Sequence, residues 1–393
     1  MNRIESVLTL NLGSTSVKVG LFERSRIADG DAPVFSKTWA TSPAAEATGT
    51  VKTAERIDAT GNEKHVPQTA LLDGIVEQIA RHAAAPDVII HRIVHGGDRR
   101  GPCLLDAATR DALARLEAWA PSHQEPALAL AAAASERWPD ATQFVAFDTD
   151  WHRTLPPLTR TLPLSAGLRA RGLRRYGFHG LAFQSAWRQL SAAEPAARHG
   201  RAVFAHLGGG ASLCAVLDGR SVDTTMSLTP LDGLPMASRC GSLDPGVILY
   251  LLRESGLGAD GIEDELAHRS GLLGLSGTTG DMQRLLASDS TEARLAIEIF
   301  VHRTAQGIAA MATSIGGIDD LVFSGGIGSH AAPIRTAIAE RLAWTGLRLD
   351  VDANAAPGLR IDTPGSAILA WVVTVQEDRE LAAAAEEWHK KTS

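Results

Sequence analysis

Apolar and polar positions alternate with period two over Val7-Leu8-Thr9-Leu10-Asn11-Leu12, stop at Gly13-Ser14-Thr15-Ser16, and resume over Val17-Lys18-Val19-Gly20-Leu21-Phe22. Side chains on a strand point to opposite faces in turn, so the pattern predicts a hairpin with a polar tip. The same pattern returns later. Ala202-Val203-Phe204-Ala205-His206-Leu207 reads as a strand, Gly208-Gly209-Gly210-Ala211-Ser212 as the tip, and Leu213-Cys214-Ala215-Val216-Leu217 as the returning strand before an Asp218-Gly219 turn. One supersecondary unit used twice predicts two domains with related sheets, each presenting a hairpin tip to a cleft. The length of 393 residues agrees, at roughly 100–200 residues per domain.

Three further strands end in chemically loaded turns. Asp87-Val88-Ile89-Ile90-His91-Arg92-Ile93-Val94-His95-Gly96-Gly97 sets Arg92 beside a β-branched run, where it either pairs with a core carboxylate or meets an anionic ligand. His95, before two glycines, reads as a turn or packing residue. Val145-Ala146-Phe147-Asp148-Thr149-Asp150 ends a strand in acids, at the strand end where α/β sites are built, and Asp148 either caps the turn or positions metal or substrate. Asp319-Asp320-Leu321-Val322-Phe323 leads into Ser324-Gly325-Gly326-Ile327-Gly328-Ser329 and a helical stretch from Ala331 to Trp344. Strand, Gly-rich turn and helix form an anion-binding arrangement, although such turns also serve plain chain reversal.

Tyr176-Gly177-Phe178-His179-Gly180 opens a helix predicted over Leu181 to Leu190, a setting that suits a histidine facing a phosphoryl oxygen. Met226 to Gly241 is an irregular Gly/Pro-rich loop that delivers a second isolated arginine, Arg239. Residues 40–61 are rich in Ala, Thr, Ser and Gly without period and read as a surface excursion. Ala127 to Trp138 reads as a close-packed helix without chemistry.

Charge narrows the partners. The net charge of −7 lacks the basic face of a nucleic-acid binder, so small anions would be collected by local Arg and backbone N–H groups. Cys103, Cys214 and Cys240 form no zinc spacing and no C-x-x-C pair, which fits a reducing cytoplasm. The apolar runs Val7 to Leu12 and Ala367 to Val375 are too short for a signal h-region or a bilayer span, so a soluble chain without a membrane partner is expected.

Five segments resemble, in order, those of the acetate kinase family, within the acetate and sugar kinase, heat-shock ATPase and actin superfamily. They are Asn11-Leu12-Gly13-Ser14-Thr15-Ser16-Val17-Lys18, His91-Arg92-Ile93-Val94-His95-Gly96-Gly97, Phe147-Asp148-Thr149, Tyr176-Gly177-Phe178-His179-Gly180, and Ser238-Arg239-Cys240-Gly241 with Leu243-Asp244-Pro245. The resemblance implies an α/β chain with a duplicated actin-like, ribonuclease H-like fold, mixed sheets and an interdomain nucleotide cleft. Its domains would be 1–149 and 150–393, with a C-terminal helix over 378–393 packing back on the first and a homodimer built by the second. It further implies reversible phosphoryl transfer between ATP and a short carboxylic acid, with Mg²⁺. Arg92 and Arg239 would grip substrate and phosphoryl group, His179 would stabilise charge, and Asn11, Asp148 and Glu377 would serve Mg²⁺ and alignment. Val94, Ser122 and Pro230 would line the acid pocket. Lys18, His206, Gly208, Gly209 and Gly210 would contact phosphate, and Gly325, Gly326, Ile327 and Gly328 adenosine.

Several positions depart from that family. Pro121-Ser122-His123-Gln124 carries Ser122 where the family has Leu, so acetate is the expected acid with propionate or a hydroxy acid as alternatives. Gly209 stands for Asn, Ser242 for Asp, and Ser329-His330 for Glu-Asn, which bears on the phosphoryl donor. Gln376-Glu377-Asp378-Arg379-Glu380-Leu381 matches the late family motif loosely. A sugar or polyol kinase would instead need an aspartate base, for which Asp148 is the candidate, and a nucleotide-binding relative without turnover would have no use for the full set of site residues.

Overall fold

The computed structural model describes residues 5–13, 16–29, 31–40, 73–75, 77–79, 81, 85–193, 200–356 and 358–392. Ser14 and Thr15 of the first hairpin tip lie outside the described residues, as does the expected surface excursion except Ala40. The chain divides into two compact units, Met1–Asp150 with Gln376–Ser393, and Trp151–Val375.

The first unit is built on a six-stranded sheet in the order β3-β2-β1-β4-β6-β5. β1 (Ser6–Leu12), β2 (Ser16–Glu23) and β3 (Phe35–Ala40) form the antiparallel meander. β4 (Val88–Ile93) runs parallel to β1, β6 (Thr142–Phe147) parallel to β4, and the short β5 (Cys103–Leu104) antiparallel to β6. All six residues of β4 are buried, because a central strand flanked by parallel neighbours is covered on both faces and so reads as a continuous apolar run. One face packs Leu8, Leu10, Val19 and Ile89 against Ile75, Ile79 and Trp138; the other packs Ile93, Val145 and Phe147 against Leu113, Leu128 and Ala131. Ala131 and its neighbours belong to the helix Pro121–Arg137, which starts two turns before the predicted Ala-dense segment. The helix Glu377–Thr392 closes this unit, packing Trp388 against Phe144 in a tilted arrangement with ring centroids 4.4 Å apart and pairing Glu386 with Arg24 at 2.7 Å.

The second unit repeats the plan with five strands, β11-β10-β7-β8-β9. β7 (Arg201–Leu207), β8 (Ala211–Leu217) and β9 (Arg220–Thr224) form the meander; β10 (Asp320–Ser324) runs parallel to β7, and β11 (Leu369–Val372) parallel to β10. Each sheet is therefore a three-stranded meander extended by two parallel strands, with the short antiparallel β5 added at the edge of the first. Asn11-Leu12-Gly13 and His206-Leu207-Gly208 occupy the same place in the two hairpins, as the duplicated pattern predicts.

Local boundaries differ from the sequence reading in two places. The helix opened by His179 runs over Gly180–Ala193, longer than predicted. The Gly-rich stretch predicted as a turn is itself helical over Gly325–His330, and a second helix, Ala332–Arg341, follows before a 3₁₀ turn at Ala343–Thr345. Glycine propensity disfavours a helix here, so tertiary packing imposes it. Gly325 has φ +78°, and a Cβ there would stand 2.6 Å from the Leu207 carbonyl oxygen. Among the described residues no helix is long and apolar enough to cross a membrane.

Candidate active site

Three strand ends of the first unit bring Asn11, Arg92 and Asp148 together. Asn11 sits near the end of β1, opposite the exposed Lys18 of β2; Arg92 lies one residue before the end of β4; Asp148 follows β6. Arg92 is 9% exposed and Asp148 fully buried. The guanidinium fork grips the carboxylate at both ends, Nε to Oδ1 at 3.0 Å and Nη2 to Oδ2 at 2.5 Å. Its Nη1 donates to Asn11 Oδ1 at 3.2 Å and to the Leu12 carbonyl at 3.3 Å. Burial alone would lower the Arg92 pKa, but the charge of Asp148, with Glu377 and Asp378 beyond it, more than offsets that, and the group is held above its ordinary value. Of the two readings left open for Arg92, the pairing with a buried carboxylate is realised.

Glu377 opens the C-terminal helix, and its Oε2 accepts from Asn11 Nδ2 at 2.7 Å. The next residue, Asp378, escaped the sequence reading, although it lies in the same segment. Its Oδ1 is buried with no hydrogen-bond partner among the described residues. Burial, then the Glu377 charge, raise the Asp378 pKa against the pull of Lys18, Asn11 and Arg92. Among the described residues no cluster of three or more His, Cys, Asp or Glu is placed to hold a metal. An amide and two carboxylates, one with an orphaned oxygen, nevertheless fit Mg²⁺, which takes one or two protein carboxylates and fills its shell from phosphate and water.

Elsewhere in this unit, Val94 is buried just past β4, and Ser122 is exposed in the first turn of Pro121–Arg137. His95 is the packing residue expected: it is fully buried, its Nδ1 accepts from Gly97 N at 3.0 Å, and its ring lies 5.1 Å from that of Trp119. Gln124 fixes the turn by donating to the His95 and Leu113 carbonyls and accepting from His95 N.

In the second unit, His179 has φ +59°, a left-handed conformation that a residue with a Cβ adopts only when its surroundings enforce it. Gly177, with φ +79°, permits the approach: a Cβ there would meet the His152 ring at 2.5 Å. His152 Nε2 carries the proton, since it donates to the Phe178 carbonyl at 2.9 Å, and Nδ1 accepts from Ser221 at 2.8 Å. Burial lowers His152 to a pKa of about 4, so it stays a neutral strut at physiological pH. His179 Nδ1 lies 2.8 Å from the hydroxyl of Ser212, a fully buried residue of β8 that the sequence reading placed only in a hairpin tip. Its Nε2 stands 3.1 Å from where a Cβ on Gly210 would be, and Arg239 Nη1 stands 3.8 Å from the same point. The missing side chain at Gly210 thus leaves a small space flanked by imidazole and guanidinium.

Arg239 is aimed by its loop. Its Nη1 donates to the Pro230 carbonyl at 3.2 Å, Met236 N bonds Arg239 O, and Ser270 N bonds Ser238 O. Ala237 N bonds the Gly209 carbonyl at 3.1 Å, which ties the arginine loop to the second hairpin tip. Beside that tip, His206 Nδ1 meets Ser324 Oγ at 3.1 Å, and a Cβ on Gly208 would come within 3.5 Å of Gly326 N. A Cβ on Gly209 or Gly326 would meet nothing within 4 Å. Pro230, His206, the Gly208–Gly210 tip and the Gly325–Gly328 stretch are therefore neighbours of His179 and Arg239 in one unit, whereas Asn11, Lys18, Arg92, Val94, Ser122, Asp148 and Glu377 belong to the other.

The model of the acetokinase family matches residues 6–383. The chain belongs to the acetate kinase family. Over 301 residues, 74% of each chain, it is 46% identical to an acetate kinase of Rhodopseudomonas palustris (strain TIE-1), and over 389 residues, 96% of each, 38% identical to one of Methylocella silvestris. Its fold superposes with a TM-score of 0.83 on a propionate kinase from Francisella tularensis subsp. tularensis SCHU S4, 28% identical, covering 97% of this chain and 99% of that one. These likenesses run through both sheets, so this acetate kinase family member carries the two-domain actin-like fold.

The Asp378 environment predicts a pH signature. A carboxyl whose folded pKa is raised contributes stability in full below its unfolded value of about 4 and loses it as pH rises through the folded value. Asp378→Asn, which has no such loss, melts higher than the wild type at pH 8, by about 2–4 °C for each kcal/mol recovered. In thermal melts the gap closes as pH falls toward about 4; a gap independent of pH would contradict this reading.

Proposed function

We propose that this chain is a cytoplasmic acetate kinase, reversibly transferring the γ-phosphoryl group of ATP to acetate to give acetyl phosphate and ADP. The observation that carries the proposal is that both arginines are fixed by their own surroundings, with the imidazole of His179 and Arg239 Nη1 flanking the space over Gly210. Phosphoryl transfer spreads charge over three equatorial oxygens, so fixed cations and positioning supply most of the catalysis.

In this reading Arg92 binds the acid carboxylate, with Val94, Ser122 and Pro230 around the acyl group. A carboxylate oxygen attacks the γ-phosphorus while the bond to the β,γ-bridging oxygen breaks and its electron pair leaves with ADP. Arg239 and His179 stabilise the equatorial oxygens in flight. The acid, with a pKa of about 4–5, is already ionised at neutral pH, so no proton is moved. Asp148 suits that chemistry better than the chemistry of a sugar kinase, because both its oxygens hold Arg92 and it orients a cation instead of abstracting a proton. Asn11, Glu377 and Asp378 would hold Mg²⁺, which when bound neutralises phosphate charge. His206, Lys18 and the Gly208–Gly210 tip serve the phosphates, and Gly325–Gly328 the adenosine.

A homodimer is part of the same proposal. The helix Pro245–Glu254 exposes Val247, Ile248, Leu249, Tyr250 and Leu252, with Tyr250 64% accessible, and a concentration of exposed apolar side chains on one helix favours an interaction surface. Leu252→Glu with Tyr250→Glu is expected to give monomers by light scattering; an unchanged mass would remove this helix from the interface.

The functional test is a hydroxamate-coupled assay of acyl phosphate formation with ATP and Mg²⁺ across formate, acetate, propionate, butyrate, lactate and glycolate. Acetate gives the highest kcat/KM, and Arg92→Ala and Arg239→Ala each lower turnover by about 10³-fold or more. Product mainly from propionate or a hydroxy acid would make Ser122 the specificity residue and overturn acetate. No product from any acid, or near-normal rates in either arginine variant, would overturn the assignment.

A further inference from the structure

Arg335 is buried more deeply than either proposed catalytic arginine, at 1% exposed, and among the described residues no acidic group pairs with it. Its Nη1 donates to the carbonyls of Gly328 at 2.9 Å and Ser329 at 3.0 Å, its Nε to Asn354 Oδ1 at 2.7 Å, and its Nη2 to the Asn354 carbonyl at 2.5 Å. Every acceptor is neutral. Burial accordingly lowers the pKa of this guanidinium, with no opposing charge to restore it. A buried cation without a counterion is costly, so its presence calls for an account beyond packing.

The geometry supplies one. Gly328 and Ser329 lie in the last turn of the helix Gly325–His330, whose carbonyls carry the negative end of the helix dipole. That helix is rich in glycines that would not hold a helical conformation unaided. Asn354 anchors the other side of the fork, donating through Nδ2 to the Ala332 carbonyl and to Thr336 Oγ1.

We infer that Arg335 is a positioning residue for the nucleotide: it clamps the two carbonyls that end the Gly325–His330 helix to Asn354 and so holds the adenosine loop in its binding conformation. This rests on the proposed nucleotide role of Gly325–Gly328. Lysine at this position would keep the charge but lack the planar fork that reaches both carbonyls and Asn354 together.

The test reads the loop directly and then the ligand. Hydrogen exchange of Arg335→Lys, without nucleotide, is expected to speed exchange of the 325–331 amides about tenfold or more, with the amides of the first unit unchanged. In the same variant the Kd for ADP and the KM for ATP rise about tenfold or more, while kcat and the KM for the acid stay within about threefold. Asn354→Ala, which removes one arm of the clamp and leaves both carbonyl bonds, gives the same pattern at smaller size and decides the matter if Arg335→Lys fails to fold. Unchanged exchange at 325–331, exchange quickened evenly across the chain, or equal losses for ATP and acid would overturn the inference. Should the wild type bind no ADP, the proposed nucleotide role of the loop fails, and the exchange result alone still decides whether Arg335 is its clamp.

Discussion

A guanidinium taken out of water must be met by something, and the manner in which each buried arginine is met organises this molecule. Arg92 is met by a carboxylate in bidentate geometry, with an amide oxygen and a backbone carbonyl accepting from Nη1, which leaves one Nη2 N–H for a ligand. That arrangement requires three strand ends to arrive at one place. β1 delivers Asn11, β4 delivers Arg92 and β6 delivers Asp148, and the parallel pairing of β1, β4 and β6 puts all three at the carboxyl ends of their strands. Breaking the pair by removing one partner leaves an uncompensated buried charge, which typically costs about 3–5 kcal/mol. The proposed catalytic arrangement and the stability of the first unit therefore rest on the same contacts.

Two arginines of the second unit lean on neutral acceptors, although Arg175 there pairs with Asp223. Arg239 leans on a carbonyl and a thioether, and Arg335 on carbonyls and a side-chain amide. Neutral acceptors such as these fix the direction of a guanidinium without cancelling its charge. The cost appears in the backbone: His179 is held left-handed, Gly177 and Gly325 are needed at positive φ, and Gly271 lies so close to the arginine loop that a Cβ would stand 2.2 Å from Met236 O. Strain of this kind persists where surrounding packing over-determines it.

Much of this was legible in the sequence, for physical reasons that differ by element. The hairpins could be read because a half-buried strand pair writes its period of two directly into the residue order, and the return of strand, polar tip and strand over Ala202 to Leu217 exposed the duplicated sheet. Arg92, Asp148, His179 and Arg239 stood out as charged or titratable residues at the ends of apolar strands or in Gly-rich loops. Asp378, Ser212 and Arg335 did not stand out, because what marks each is created by tertiary packing: an oxygen covered by a returning helix, a hydroxyl turned toward an imidazole, a guanidinium closed in by two helices. The helix over Gly325–His330 was misread as a turn because local propensity argues for a turn, and tertiary contacts, the Arg335 bonds to its last carbonyls among them, reverse that preference.

The central claim is that Asp148 holds Arg92 and takes no proton, so the reaction needs no general base. The pH dependence of kcat in Asp148→Asn tests it most directly. The account predicts a rate lowered by a constant factor across the range where wild type and variant are both folded, with the profile keeping its shape. An acidic limb in the wild type that disappears in the variant would show a proton passing to Asp148 and would contradict the account.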